Sequence, residues 1–145
     1  MYFVDRDKIE LTLQYIEQSI MEFENQPTWV SPIEKKALER ISQMIIEAIL
    51  DVGNSMIDGF IMRDPGSFED IIDILEDERV INQKQAHELK QVLQLRKMLV
   101  REYVEVDHVQ LHKTIFDHLE CIKKFPSEVR TYIVNELGPV SAFRN

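Results

Sequence analysis

The sequence predicts an all-α protein, an up-and-down bundle of about five to six helices folded as a single domain over residues 1–145. Three observations predict this fold class. Apolar residues recur every three or four positions along most of the chain, as on one face of a helix. Serine, asparagine or aspartate precedes most of these apolar segments, as a helix N-cap does. The chain also has only 4 glycines and 5 prolines, too few for a turn-rich β architecture.

The first two helices are predicted from apolar spacing and from a start signal. The first is expected from residue 5 to about residue 23. The second begins after Ser31, with Pro32 at its first position and Glu34 as the capping-box partner, and runs to about residue 62. Its apolar stripe is broad, so we expect it to be the central helix of the bundle.

The third and fourth helices each follow a polar cap. Ser67 caps a short third helix that carries several isoleucines. Asn82 caps a fourth helix, which the apolar spacing extends from about residue 83 to Tyr103 without interruption. This fourth helix therefore carries the densest basic segment of the chain.

The C-terminal part is predicted to form two further helices. Asp107 caps a fifth helix, expected from residue 108 to about residue 124. Pro126 then opens a last short helix, which Gly138 ends in the usual glycine-then-proline order. The tail from about residue 138 onward is expected to be loose.

Charge and composition exclude several classes of function. A net charge of −9 repels polyanions, so any RNA contact must be local rather than spread over the surface. No stretch approaches the roughly 18 uninterrupted apolar residues of a spanning helix, so no membrane contact is expected. Cys121 is the only cysteine, which excludes an internal disulfide and, with no leader-like start, predicts a cytoplasmic protein. No cofactor or metal is expected.

A basic cluster on the predicted fourth helix is the first candidate for a functional site. Arg96 and Tyr103 are seven residues apart and are expected on one helical face, while Lys97 and Arg101 are four apart on an adjoining face. Arginine can hold a phosphodiester bidentately and stabilise the charge that develops during its cleavage. The alternative is that these cations only interact with the helix dipole and with surface carboxylates.

The same segment resembles the signature of the HepT-like branch of the HEPN ribonuclease toxins. That signature is an arginine, four residues, a histidine, one residue and a tyrosine, followed by a short acidic linker. Arg96 and Tyr103 match it, Val106 and Asp107 match the linker, and Arg101 occupies the histidine position. Further similarity, in order and spacing, covers roughly residues 5 to 125 and includes segments 37–40, 47–54, 64–68 and 80–81.

The resemblance implies a homodimeric helical bundle. In it, paired signature helices form a cleft between the subunits that cleaves RNA without metal, with Arg96, Arg101 and Tyr103 as catalytic residues. From the charge of Lys97 and the position of Asp51 we predict that both contact the substrate. The resemblance also implies a partner, a nucleotidyltransferase antitoxin that adenylylates the signature tyrosine, here Tyr103. Such a modification adds negative charge beside Arg96 and occupies the RNA cleft.

Arg101 leaves two functions open. Histidine exchanges a proton near neutral pH, whereas arginine stays protonated and can only bind or stabilise charge. The chain is therefore either a ribonuclease or a catalytically inactive module. Such a module would bind a nucleotide, RNA phosphate or another protein. His108 and His112 are four residues apart on the fifth helix and are candidates to face the same cleft. The alternative is that both face solvent. A metal site with these two ligands is the third and least favoured alternative.

Asp51 is the other polar residue singled out, because it lies within the apolar segment of the second helix. A buried carboxylate needs a partner, and Arg96 is the partner we expect. Glu47 and Asp58 lie one and two turns away on the same face. The pair would either position Arg96 for catalysis or only anchor two helices.

A second enzyme class is suggested by the acidic third helix. All-α nucleotide pyrophosphohydrolases bind magnesium through helical carboxylates, and Glu69, Asp70, Asp73 and the segment 76–78 supply several. Hard cations need oxygens that converge from facing elements, whereas these carboxylates come from one short helix. A solvated acidic face is the alternative.

Overall fold

The computed structural model describes residues 2–139, and within this range the fold consists of seven α-helices and no strand. The all-α prediction is thereby confirmed. Most of the predicted loose tail, residues 140–145, lies outside the described residues. The helices are α1 (Arg6–Asn25), α2 (Pro32–Gly59), α3 (Phe68–Asp77), α4 (Gln83–Leu93), α5 (Leu95–Arg101), α6 (His108–Asp117) and α7 (Leu119–Leu137).

The predicted start signals are present. Ser31 and Glu34 form the expected capping box, in which each side chain accepts a hydrogen bond from the other residue's backbone N–H. Four more caps accept a backbone N–H three residues ahead: Asp5, Ser67, Asn82 and Asp107. Each cap satisfies a donor that the first turn of its helix leaves free, which fixes where the helix begins.

Helix α2 is the central element, as its broad apolar stripe predicted. It packs against α1, α3, α5 and α6, and from Leu38 onward its apolar side chains are buried or half-buried. Gly53 permits the close approach of α3, because a Cβ added there would lie 2.4 Å from Ile71 Cγ2. Further contacts of the bundle are α1 with α7, α4 with α3, α5, α6 and α7, and α6 with α7.

The predicted fourth helix is divided in two, and its end is earlier than predicted. At Gln94 the N–H bonds to both Lys90 O and Val92 O while the backbone angles stay helical, φ −61° and ψ −23°. Helix α5 ends at Arg101, because residues 102–107 form a turn in which Glu105 N donates to Glu102 O. The extension to Tyr103 was therefore wrong.

The C-terminal boundary was also wrong. The fifth helix ends at Asp117, and α7 runs without a break through Pro126, which was predicted to open a separate helix. Proline inside a helix removes one backbone hydrogen bond. Here Pro126 is buried, and Gln85 of α4 donates a hydrogen bond of 2.6 Å to Cys121 O one turn before it, which ties this part of α7 to the bundle. Gly138 ends α7 as predicted.

None of the helices described between residues 2 and 139 is both long enough and apolar enough to cross a membrane.

Candidate functional site

Arg96 is held by three helices. It lies in the first turn of α5, where its Nε donates to Glu47 Oε1 of α2 at 2.5 Å. Its guanidinium carbon lies 4.3 Å from the ring centroid of Phe68 at the start of α3, a cation–π contact. The side chain is 27% exposed. Among residues 2–139 only Nε forms a hydrogen bond, so both Nη groups are available to an anion.

The rest of the basic cluster is exposed. Lys97 and Arg101 point to solvent, and within residues 2–139 Lys97 Nζ makes only a long contact of 3.9 Å with Glu102. Tyr103 is 65% exposed, but it lies in the turn after α5 rather than on the helix. The expectation that Arg96 and Tyr103 share one helical face was therefore wrong. We call Arg96, Lys97, Arg101 and Tyr103 together the α5 surface.

Asp51 does not pair with Arg96. The structure gives that role to Glu47, one turn earlier on α2, and leaves Asp51 exposed. The two carboxylates occupy the same face of α2, so the sequence could identify the face but not the turn at which α5 crosses it. A contact between Asp51 and a substrate stays a prediction.

The two histidines of α6 have separate environments. His108 Nε2 lies 2.7 Å from Glu39 Oε2 of α2, and both side chains are 24% exposed. The His112 ring stacks on Phe23 at 5.2 Å and on Phe116 at 6.0 Å between centroids. They neither face solvent as a pair nor converge on one ligand.

Two carboxylates of the acidic helix α3, Asp70 and Asp73, are paired with cations of the chain. Asp70 accepts two hydrogen bonds from Arg63, at 2.8 and 2.9 Å, and a third from Gly66 N. The Arg63 hydrogen bonds hold the pKa of Asp70 at about 2. Asp73 pairs with Lys90 of α4. Within residues 2–139 no three His, Cys, Asp or Glu side chains converge as a metal site requires, and nothing in this geometry supports a magnesium-dependent pyrophosphohydrolase.

A groove of about 720 Å³ adjoins the α5 surface, and no pattern in the sequence indicated it. It runs between α4, α5 and α6, with Lys97 and Glu102 on one wall and Lys113 and Asp117 on another. Its walls come from different helices, so no local pattern marks it. Because side chains of both charges line the groove, it favours a polar ligand over an apolar one.

Comparison with known proteins supports the class that this fold and signature define, a helical HEPN-type protein. The family model described as "Ribonuclease HepT-like" matches residues 4–129. The chain therefore belongs to the HepT-like ribonuclease family. It is 51% identical over 144 residues to "Putative RNase YutE" of Bacillus subtilis (strain 168), covering 99% of this chain and 100% of that protein.

Solved structures agree on the fold. The structure of YutE from Bacillus subtilis, described as a cytosolic protein of unknown function, matches with a TM-score of 0.95 at 51% identity, over 99% of this chain and 100% of that one. A toxin–antitoxin complex with AMP-PNP matches at 0.78, with 19% identity over 87% of this chain and 99% of that one. A tri-AMPylated Shewanella oneidensis HEPN toxin with its MNT antitoxin matches at 0.77, with 20% identity over 87% and 98%.

Proposed function

We propose that this protein is a metal-independent ribonuclease that binds RNA at the α5 surface, in a cleft between two copies of the chain. The observation that carries the proposal is the fixed position of Arg96. Glu47 and Phe68 orient its guanidinium while both Nη groups stay unbonded within residues 2–139, as bidentate capture of a phosphodiester requires. Family membership supports the reaction class.

The local charge supports the proposed ligand. The chain as a whole carries a net charge of −9, which repels RNA at long range. At the α5 surface, however, Lys97 and Arg101 are exposed next to Arg96, so three cations lie within one short helix. Binding of RNA is therefore expected to be weak at high salt and to depend on these side chains.

A second copy of the chain would complete the site. Exposed apolar side chains flank the α5 surface: Val100 in the helix and Val104 after it, the latter 84% exposed. A dimer that covered them would bring two α5 surfaces together and form a cleft for one RNA strand. Paired arginines would then contact the phosphates from both sides.

We also propose a nucleotidyltransferase antitoxin as partner. Two solved relatives of the same fold are toxin–antitoxin complexes, and one of those toxins carries AMP groups. Tyr103 is largely exposed, so its hydroxyl is accessible to a modifying enzyme. A nucleotide attached there would place phosphate negative charge beside Lys97 and Arg101 and would compete with RNA.

A second candidate function is favoured by Arg101. Because arginine does not release its proton near neutral pH, the α5 surface by itself can bind RNA phosphate without cleaving it. The same fold would then be a binding module in which Arg96, Lys97 and Arg101 form a phosphate site.

The two candidates are distinguished by an RNA cleavage assay in the presence of a chelator and without added metal. The assay compares the native chain with Arg96→Ala and Arg101→His. Lys84→Ala, which removes an exposed cation far from α5, is the control. If the native chain cleaves RNA and Arg96→Ala is the variant that loses cleavage, the result supports the ribonuclease. If Arg101→His cleaves RNA and the native chain does not, the result supports the binding module. RNA affinity should fall and its salt dependence should flatten in Arg96→Ala. Unchanged affinity and salt dependence in that variant would remove Arg96 from the site and contradict both candidates.

A further inference from the structure

A ribonuclease that acts without metal needs a group that accepts and returns a proton, and Arg101 cannot do so. We propose that His108, oriented by Glu39, is the proton-transfer residue of this site. The inference rests on the proposed ribonuclease function. It assigns to α6 and α2 the role that the family signature would place at position 101.

The turn after α5 brings His108 back to the signature helix. Residues 102–107 close through the Glu105 N to Glu102 O hydrogen bond, and Asp107 N lies 3.4 Å from Met98 Sδ in the middle of α5. His108 is the next residue. Its backbone therefore lies close to the middle of α5, although His108 is seven positions after Arg101 in sequence.

Arg96 and His108 also face the same helix. Glu47 bonds Arg96 and Glu39 bonds His108, and these two glutamates are eight residues apart on α2. Eight residues of α-helix correspond to about 12 Å. A short RNA strand bound at the α5 surface is long enough to contact both side chains.

The contact between His108 and Glu39 suits a proton-transfer role. At 2.7 Å the carboxylate accepts the Nε2 hydrogen, which leaves the lone pair of Nδ1 free to accept a proton. Within residues 2–139 Nδ1 makes no hydrogen bond, and at 24% exposure the ring is shielded yet accessible. A carboxylate in this position fixes the orientation and tautomer of the imidazole and stabilises the imidazolium that forms.

The reaction balances without another reagent. His108 Nδ1 removes the proton of an RNA 2′-hydroxyl, the O2′–P bond forms and the P–O5′ bond breaks. The departing 5′-oxygen takes a proton from water, and the imidazolium returns its proton to the hydroxide that remains. The products are a 2′,3′-cyclic phosphate and a 5′-hydroxyl end. Arg101 and Lys97 stabilise the charge on the phosphoryl oxygens, a role that does not require them to lose a proton.

The experiment compares RNA cleavage and RNA binding by the full chain and by four variants: His108→Gln, Glu39→Gln, Arg101→His and the double variant Arg101→His/His108→Gln. Lys84→Ala is the control, since that side chain is exposed at the start of α4 and does not line the groove beside the α5 surface. We expect His108→Gln to lose about 100-fold or more of cleavage, the range of general acid–base catalysis, while circular dichroism and RNA affinity stay unchanged. Glu39→Gln should lose less, because the histidine remains.

The double variant distinguishes a chemical role from a structural one. If His108 replaces the signature histidine, Arg101→His restores cleavage to His108→Gln, whereas a histidine that only anchors α6 on α2 would not be rescued. If the double variant does not cleave, imidazole added to His108→Ala decides: restored cleavage supports the proposal and no restoration overturns it.

The remaining outcomes separate this inference from the proposed function. Full cleavage by His108→Gln would overturn the role of His108 and leave the ribonuclease intact. RNA binding without cleavage by the native chain would overturn both the role of His108 and the ribonuclease, and would leave the binding module. Neither binding nor cleavage would overturn all three.

Discussion

Glu128 of α7 provides the sharpest test of the physical reasoning about this fold. Its carboxyl group is half-buried beside a cavity of about 220 Å³ that Arg79 and Tyr132 also line, and Oε1 is buried with no hydrogen-bond partner in the part of the chain that the structure describes. Burial raises the pKa of Glu128 from 4.5 to about 7, and the charge of Lys124, one turn earlier, opposes this only partly. The native protein therefore holds a proton at Glu128 that the unfolded chain releases.

The sign and size of the effect follow from that difference. Below pH 4.5 Glu128 is protonated in both the native and the unfolded state. As the pH rises toward 7, only the unfolded chain loses the proton, so the free energy of unfolding falls through this window. Each pKa unit corresponds to about 1.4 kcal/mol, which gives a ceiling of roughly 3 kcal/mol. Because the group is only half-buried, solvent screening reduces this, and we expect about 2 kcal/mol.

The test is Glu128→Gln, which keeps the shape of the side chain and removes its titration. Urea unfolding followed by circular dichroism should give equal free energies of unfolding for variant and native chain near pH 4.5. At pH 8.5 the variant should be more stable by about 2 kcal/mol. Glu136→Gln, an exposed position on the same helix, is the control and should change neither value. An identical pH dependence for Glu128→Gln and the native chain would refute the reasoning.

Two further predictions concern packing and charge. Gly53→Ala places a Cβ 2.4 Å from a methyl group of Ile71, so we expect the free energy of unfolding in urea titrations to be about 1–2 kcal/mol lower. Gly66→Ala is the control and should change it little, because the nearest atom to the added Cβ is 3.7 Å away. A stable Gly53→Ala would show that α3 can shift freely. Arg130→Gln removes four hydrogen bonds to two partly exposed glutamates of α1. The free energy of unfolding should fall by about 1 kcal/mol in low salt and by less in about 1 M salt. A loss of stability that salt does not change would contradict an electrostatic origin.

The sequence predicted the elements whose signals are local. The Ser31 and Glu34 capping box and the glycine after α7 act within one turn, so the residues alone identify them. The break at Gln94 gives no such signal, because its backbone angles remain helical. Pro126 gave a misleading one: a proline that usually marks a helix start lies inside α7, where burial against the bundle and the Gln85 contact hold it.

The candidate site divides in the same way. The spacing of Arg96 and Tyr103 identified the segment, and the apolar surroundings of Asp51 identified the correct face of α2. The partner itself was missed, since only the crossing of α2 and α5 selects Glu47. The contact between His108 and Glu39 joins residues 69 positions apart in sequence, and only the folded chain shows that the turn after α5 makes it.

The packing of α2 against α3 connects the core to the chemistry of Arg96. Phe68, which lies over the guanidinium, begins α3, and Ile71 in the next turn contacts α2 at Gly53. A side chain at position 53 would therefore move not only α3 but also the ring that orients Arg96. We expect Gly53→Ala to weaken RNA binding in proportion to that displacement, although no atom of Gly53 belongs to the α5 surface. The glycine that permits the close contact of α2 with α3 is, on this reasoning, also part of what positions the phosphate-binding arginine.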